Sequence, residues 1–338
     1  MKTVRVNIPE REYDITIGRG ILSNLSNLLN LKRRVFILTD SGVPKEYAEA
    51  VAAQCEKSTI CTVPMGEGAK SISIYEEVLS RMLEFNMTRK DCLVAVGGGV
   101  VGDLGGFASA TYMRGIDFYN VPTTLLADVD SSIGGKTAIN LKSTKNVVGA
   151  FHQPKAVVID VDTLKTLDKR LINEGLAEAL KMSLTSDPSL FAIFESDSVY
   201  ERLEEIIVMS LMIKKDVVEK DEKESGLRKI LNFGHTLGHA IEAEESLNRL
   251  YHGECVALGM IPMCSLSVRE RLIKVLKKLS LPTEYKMSPD DAIEFISHDK
   301  KCYENSIEVI FVNEIGKYEI KKMTLLEYKG YIADYFSN

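Results

Sequence analysis

Apolar positions along the chain fall into two regimes. Through about residue 160, short aliphatic and β-branched runs recur at strand length. Val4 to Ile8 and Tyr13 to Ile17 alternate apolar with polar as a half-buried hairpin does, while Val35 to Thr39, Ile60 to Val63, Leu93 to Val96, Phe118 to Val121 and Ala156 to Ile159 are nearly continuous. Between them, Pro44 to Gln54 and Ile72 to Phe85 carry the helical period. Continuous runs suit strands buried on both faces, so this half is expected to be α/β, with a parallel sheet between helices. From about residue 165 long amphipathic patterns take over, at Lys169 to Thr185, Val199 to Lys220, Leu227 to Glu245 and Gly253 to Arg271. Ser288 to His298 and Leu325 to Phe336 read as shorter helices, with one β excursion at Ile307 to Ile320. The expectation is two domains, 1–165 and a mostly α-helical 166–338.

Composition narrows the function classes. Of 338 residues 45% are hydrophobic, and 42 Lys and Arg against 48 Asp and Glu give a net charge of −6. A nucleic-acid footprint is normally basic, so an anionic ligand must be held by a local cluster and nucleic acid is not an expected partner. No apolar run reaches the length of a membrane span. Six Cys, with no C-x-x-C pair and several inside apolar runs, read as reduced thiols. The first residues show no apolar secretory region, so a cytoplasmic enzyme is expected.

Four features carry chemistry. Gly97, Gly98, Gly99, Val100, Val101, Gly102 and Asp103 follow the strand Leu93 to Val96 and precede a helical stretch, the context in which glycines admit a pyrophosphate to a helix N-terminus. The ribose-binding acid normally found about 20 residues on would be Asp117, but it stands at the start of the next strand, so this is no ordinary dinucleotide unit. A second glycine loop, Met65 to Lys70, sits one βα unit earlier and offers Glu67 to a ribose hydroxyl and Lys70 to phosphate; in isolation a surface turn fits it equally. Three of five His, His235, His239 and His252, fall close together, the first two at i and i+4 on one helix face. Imidazoles with a carboxylate such as Glu178, set in the apolar GLAEALK, would suit a zinc-like ion, and helix-face histidines bonded to carbonyls are the competing reading. Lys136, Lys145, Asn146, Lys181, Arg228, Asn232 and Arg114 form a cation and amide set suited to a substrate carrying phosphate and carboxylate.

Together the strings GGGVVGDLGGFASATYMRG (97–115), VPTTLLADVDSSIGGKTAIN (121–140), KNVVGAFHQP (145–154), GLAEALK (175–181), LRKILNFGHTLGHAIE (227–242) and HGECVALGM (252–260) resemble the 3-dehydroquinate synthase family, in family order and over about residues 1 to 325. The resemblance implies a Rossmann-like NAD-binding domain, a helical domain binding Zn2+ (or Co2+), and a homodimer. It implies Glu178, His235 and His252 as metal ligands and His239 as a substrate contact and proton-transfer group. Asp40, Glu67, Lys70, Gly98, Gly99, Val100, Asp103, Thr123, Thr124, Lys136, Lys145, Thr163 and Thr166 would surround NAD. Asp130, Lys136, Lys145, Asn146, Lys181, Lys214, Arg228, Asn232 and His239 would line the substrate pocket, with Lys300 (or Lys301) at the phosphate and Arg114 reaching the neighbouring subunit's site. The implied reaction turns a phosphorylated keto-acid, 3-deoxy-D-arabino-heptulosonate 7-phosphate, into 3-dehydroquinate and phosphate. Met182 and Ser183 replace the family's aromatic and Gly, His152 replaces its Tyr, and the Gly that usually follows DKK is missing.

Overall fold

The near-continuous apolar runs pair edge to edge. In the computed structural model, which describes residues 1–142, 144–244, 250–297 and 306–336, the first compact unit comprises residues 1–168 and 214–223. Its strands are β1 (Lys2–Val6), β2 (Tyr13–Gly18), β3 (Arg34–Asp40), β4 (Lys57–Val63), β5 (Cys92–Gly97) and β6 (Asp117–Pro122), with β7 (Lys136–Leu141) and β8 (Thr144–Phe151) as a separate ribbon, then β9 (Ala156–Asp160). The sheet order is β1-β2-β9-β6-β5-β3-β4. Only β1 runs antiparallel to its neighbour; every other pairing is parallel. Helices α1 (Lys45–Ala52), α2 (Ile72–Glu84) and α3 (Gly99–Thr111) connect the central strands.

The strand period of two divides the core between the sheet's faces. Val35 and Ile37 of β3, with Cys92, Val94 and Val96 of β5, pack with Ala48 and Val51 of α1. Their neighbours Phe36, Leu38, Leu93 and Ala95 pack with Val78 and Met82 of α2 and Leu104 and Phe107 of α3. Each of the larger aliphatic and aromatic side chains among them, withdrawn from water, contributes ~1.5–3 kcal/mol. The five described cysteines are free thiols, and burial pushes the Cys92 thiol up to about 12.

The second unit comprises residues 169–213 and 224–338. It contains α4 (Lys169–Ser186), α5 (Pro188–Glu195), the first part of α6 (Leu203–Lys220), α7 (His235–Glu244), α8 (His252–Met260), α9 (Leu266–Lys278), α10 (Pro289–Ser297), the hairpin of β10 (Ser306–Glu314) and β11 (Lys317–Thr324), and α11 (Leu325–Phe336). Two helices expected as continuous are broken. Leu227–Asn232 is a 3-10 turn, and α7 begins only after Gly234, whose φ is +77°. Gly253 to Arg271 is likewise split near Pro262, which has no N–H to continue the ladder. The β7–β8 ribbon was not anticipated: β8 is largely exposed, and its short apolar stretch 147–151 is interrupted by Gly149. No helix among the described residues is long and apolar enough to cross a membrane.

One buried acid stands apart. Asp128, in the π-helical turn Ala127–Ser131, is 0% exposed, and neither carboxylate oxygen has a hydrogen-bond partner. Burial, and secondarily the charge of Asp160, push this carboxyl well above the usual range. A raised folded-state value means that stability is intact below the unfolded carboxyl value of about 3.9 and is lost as pH climbs towards the folded one. Asp128→Asn removes that titration. Its melting temperature relative to the parent should rise steadily across the window, by the equivalent of about 1.4 kcal/mol per pH unit. A difference between the two proteins that is independent of pH would contradict this.

Candidate active site

In the first unit the residues expected around NAD follow the carboxyl ends of parallel strands, the edge at which such sheets take ligands. Asp40 ends β3 and accepts from the Gly42 N–H at 2.7 Å; desolvation raises its carboxyl, against the backbone bonds from Gly42 and Val43. Gly98 caps α3, with Gly99 and Val100 in its first turn. Thr123 donates its N–H to the Gly97 carbonyl at 3.0 Å, joining the β5 and β6 loops, and the Thr124 hydroxyl accepts from the Ala127 N–H at 3.2 Å. After β9, Thr163 donates to the Asp160 carbonyl at 2.8 Å, and the Thr166 hydroxyl lies 2.8 Å from that of Tyr47.

Lys70 is buried and held by neighbours. Its ammonium donates to Asp103 Oδ2 at 2.8 Å and to Asn146 Oδ1, with Glu67 Oε1 at 3.4 Å. Asn140, which sequence reasoning missed, donates to Glu67 at 2.9 Å and accepts from the Asn146 N–H at 2.8 Å. Desolvation raises the Asp103 carboxyl even with Lys70 beside it. Lys214 donates to Asp130 Oδ1 at 2.7 Å, so this pair belongs to the first unit. Lys136 opens β7 and Lys145 lies on exposed β8. Asp117 sits at the amino end of β6, bonded to Arg33 at 2.6 Å, which removes it as a ribose ligand. Arg114 follows α3, whose 13 residues span about 20 Å, so it lies a helix length from the glycine loop of its own chain. Met113, Arg114 and Gly115 all have positive φ, 49°, 68° and 119°.

The second unit assembles Glu178 from α4, His235 and His239 from α7, and His252 from α8. Atoms of Glu178, His235 and His252 lie within 4.8 Å of one another. Glu178, 0% exposed, directs Oε2 to the Lys181 ammonium and leaves Oε1 without a hydrogen-bond donor. That oxygen lies 3.8 Å from His235 Nε2 and 3.7 Å from His252 Nε2. The far ring nitrogens are occupied: His235 Nδ1 lies 3.1 Å from the Phe233 carbonyl and His252 Nδ1 lies 3.1 Å from Glu242 Oε2. With protons on Nδ1, both Nε2 lone pairs face the orphaned oxygen. Donors around a tetrahedral zinc ion at 2.0–2.1 Å sit about 3.3 Å apart, so the set fits a divalent ion. Desolvation would lower the His252 pKa, yet the bond to Glu242 and the charges of Glu178, Glu242 and Glu174 raise it. Those carboxylates make the point electronegative. His239, Glu242 and His252 form an alternative trio, but the hydrogen bond to Glu242 already engages His252 Nδ1.

On the 3-10 turn that precedes α7, Arg228 is buried and Asn232 donates to Glu224 Oε1 at 2.6 Å. Glu224 and Glu242 were missed by sequence reasoning. His235, His239 and Glu242 stand at i, i+4 and i+7, and that face was the available signal for Glu242. Lys300 and Lys301 lie outside the described residues.

Models of the 3-dehydroquinate synthase N-terminal and C-terminal regions match residues 60–174 and 175–302. A 3-dehydroquinate synthase of Thermoanaerobacter pseudethanolicus is 42% identical over 95% of this chain and 96% of its own. Among solved structures, a 2-deoxy-scyllo-inosose synthase complexed with carbaglucose-6-phosphate, NAD+ and Co2+ superposes with a TM-score of 0.88 at 26% identity, covering 98% of this chain and 100% of that one. A 2-epi-5-epi-valiolone synthase from Streptomyces hygroscopicus, with NAD+ and Zn2+ bound, gives 0.86 at 26% identity over 95% and 96%.

Removing the orphaned charge should empty the metal position. Glu178→Gln is expected to lose stoichiometric zinc on dialysis, and Glu242→Ala to weaken zinc by about 10–100-fold, the usual effect of removing an orienting partner. Metal analysis and chelator competition measure both. Full, tight occupancy in Glu178→Gln would remove this oxygen from the ligand set.

Proposed function

Because this chain belongs to the 3-dehydroquinate synthase family, we propose that it converts 3-deoxy-D-arabino-heptulosonate 7-phosphate to 3-dehydroquinate and phosphate, as a carbon–oxygen lyase. The observation that carries the reading is the Glu178 oxygen left without a donor between two oriented imidazoles, in a chain 42% identical to a synthase of that name. When bound, NAD supplies reversible hydride exchange and the divalent ion supplies Lewis-acid polarisation of substrate oxygens. Glu178, His235 and His252 would hold the ion. His239 is assigned the relay of a proton from a substrate hydroxyl, a role supported by its ring centroid lying 5.2 Å from that of His235 and 5.9 Å from that of His252. Lys214, Arg228 and Asn232 are assigned to the substrate's carboxylate end through charge-assisted bonds, with Lys181, fixed on Glu178, also in the pocket. Lys145, Asn146 and Lys300 are assigned to the phosphate. Elimination then needs no external base if the leaving phosphate's own oxygens take the proton.

We further propose a homodimer in which Arg114 serves the partner's phosphate site, as the resemblance of TYMRG (111–115) to the family's interface segment implies. The free thiols suit the reducing cytoplasm.

Two measurements test this. Given the heptulosonate phosphate and substoichiometric NAD, the protein should release phosphate far in excess of any accumulated NADH, because the redox steps cancel; stoichiometric NADH would instead mark a dehydrogenase. An Arg114→Ala chain and a His235→Ala chain, each nearly inactive alone, should regain activity when mixed, because one site of the heterodimer has both its metal and a donated arginine. Continued inactivity despite demonstrated subunit exchange would overturn the action in trans.

A further inference from the structure

Three residues on one face of α4, spaced four apart, meet three consecutive residues at the start of α8 in reverse order. Glu178 faces His252 at 3.7 Å. One turn back, the Glu174 carbonyl oxygen would lie 2.3 Å from a Cβ at position 253, so the approach requires Gly253. One turn further back, Arg170 forks onto Glu254, Nε to Oε1 at 2.6 Å and Nη2 to Oε2 at 2.7 Å. Glu254, 5% exposed, also accepts from the Tyr251 N–H at 2.8 Å, and the Arg170 guanidinium lies 4.5 Å from the Tyr251 ring centroid. Residues i, i+4 and i+8 of a helix form a row rising about 6 Å per step. A bidentate clamp at one end of that row and a backbone contact in its middle therefore set where the other end presents His252.

We propose that Arg170 is a positioning residue for the metal: through its bidentate bond to Glu254 it fixes the first turn of α8, and with it the separation of His252 Nε2 from Glu178 Oε1. The Arg170 side chain is 48% exposed and that of Glu254 6%, so losing Arg170 leaves a buried carboxylate short of its cation as well as freeing the turn; what the fork supplies to the metal is direction. A lysine keeps the charge but not the planar fork. This inference rests on the metal assignment made above for Glu178, His235 and His252.

The same chain contains a matched control. Arg271 forks onto Glu195, with both bonds 2.7 Å, and lies 5.1 Å from the Phe191 ring centroid, but it joins α9 to α5 and touches none of the three donors. The metal-free protein and its variants Arg170→Gln, Arg170→Lys, Glu254→Gln and Arg271→Gln are titrated with zinc against a chelator, and visible absorption is recorded after loading with Co2+. The expected result is a loss of zinc affinity of about tenfold or more, with altered Co2+ bands, in both Arg170 variants and in Glu254→Gln. Arg271→Gln should keep parental affinity and bands. Combining Arg170→Gln with Glu254→Gln should cost no more than either alone. Should Arg170→Gln not fold, Arg170→Lys carries the test. Parental affinity and bands in the Arg170 variants, or an equal loss in Arg271→Gln, would overturn the proposal. Failure of the parent protein itself to take up zinc would instead overturn the metal assignment beneath it.

Discussion

The second unit is organised around a carboxylate removed from water. Withdrawing an ion costs several kcal/mol unless it is paired and hydrogen-bonded, and Glu178 satisfies that demand on one oxygen only, through Lys181. The other oxygen lies 3.8 Å and 3.7 Å from two imidazole Nε2 atoms whose Nδ1 atoms are engaged by the Phe233 carbonyl and Glu242, with Glu242 adding negative charge. A divalent cation satisfies all of these groups at once; an apolar filler satisfies none. Close backbone packing makes the juxtaposition possible. A Cβ at Gly259 would lie 1.9 Å from the Gly234 carbonyl, so α7 and α8 approach more closely than ordinary side chains allow, and histidines from both helices reach one point.

In the first unit the polar residues at the carboxyl edge are already engaged with one another. Lys70 neutralises Asp103 and ties down Asn146, and Lys214 closes on Asp130. Side chains fixed in this way lose little further freedom when a ligand arrives. The segment 214–223 is bound into the same unit by Asn7, whose N–H donates to Glu219, and by Gln153 and Arg11, which donate to Glu222. Its lysine is therefore held against the NAD-type loops.

Much of this was legible because the relevant forces are local. The continuous strands β3, β5 and β9 announce two-sided burial, and the i, i+4 spacing of His235 and His239 announces a shared face. Glu178 was visible as a charge in an apolar helix. Other features depend on long-range contacts that leave no periodicity: the return of 214–223 to the first unit, and the ribbon β7–β8, whose second strand is largely exposed. The break before α7 reflects a backbone requirement at Gly234 where helices meet, which an amphipathic pattern running through the position conceals. Asn140, Glu224 and Glu242 act by supporting other side chains, and such partners emerge only when the fold brings them together. The lysine pair 300–301 lies outside the described residues.

One divalent ion is expected on the orphaned Glu178 oxygen between the two imidazoles. Anomalous diffraction at the zinc edge, from crystals grown with zinc and NAD, tests it most directly. A single strong peak per chain bounded by Glu178 Oε1, His235 Nε2 and His252 Nε2 is the predicted result. A peak held instead by His239, Glu242 and His252 Nδ1, or no peak near Glu178, would contradict it.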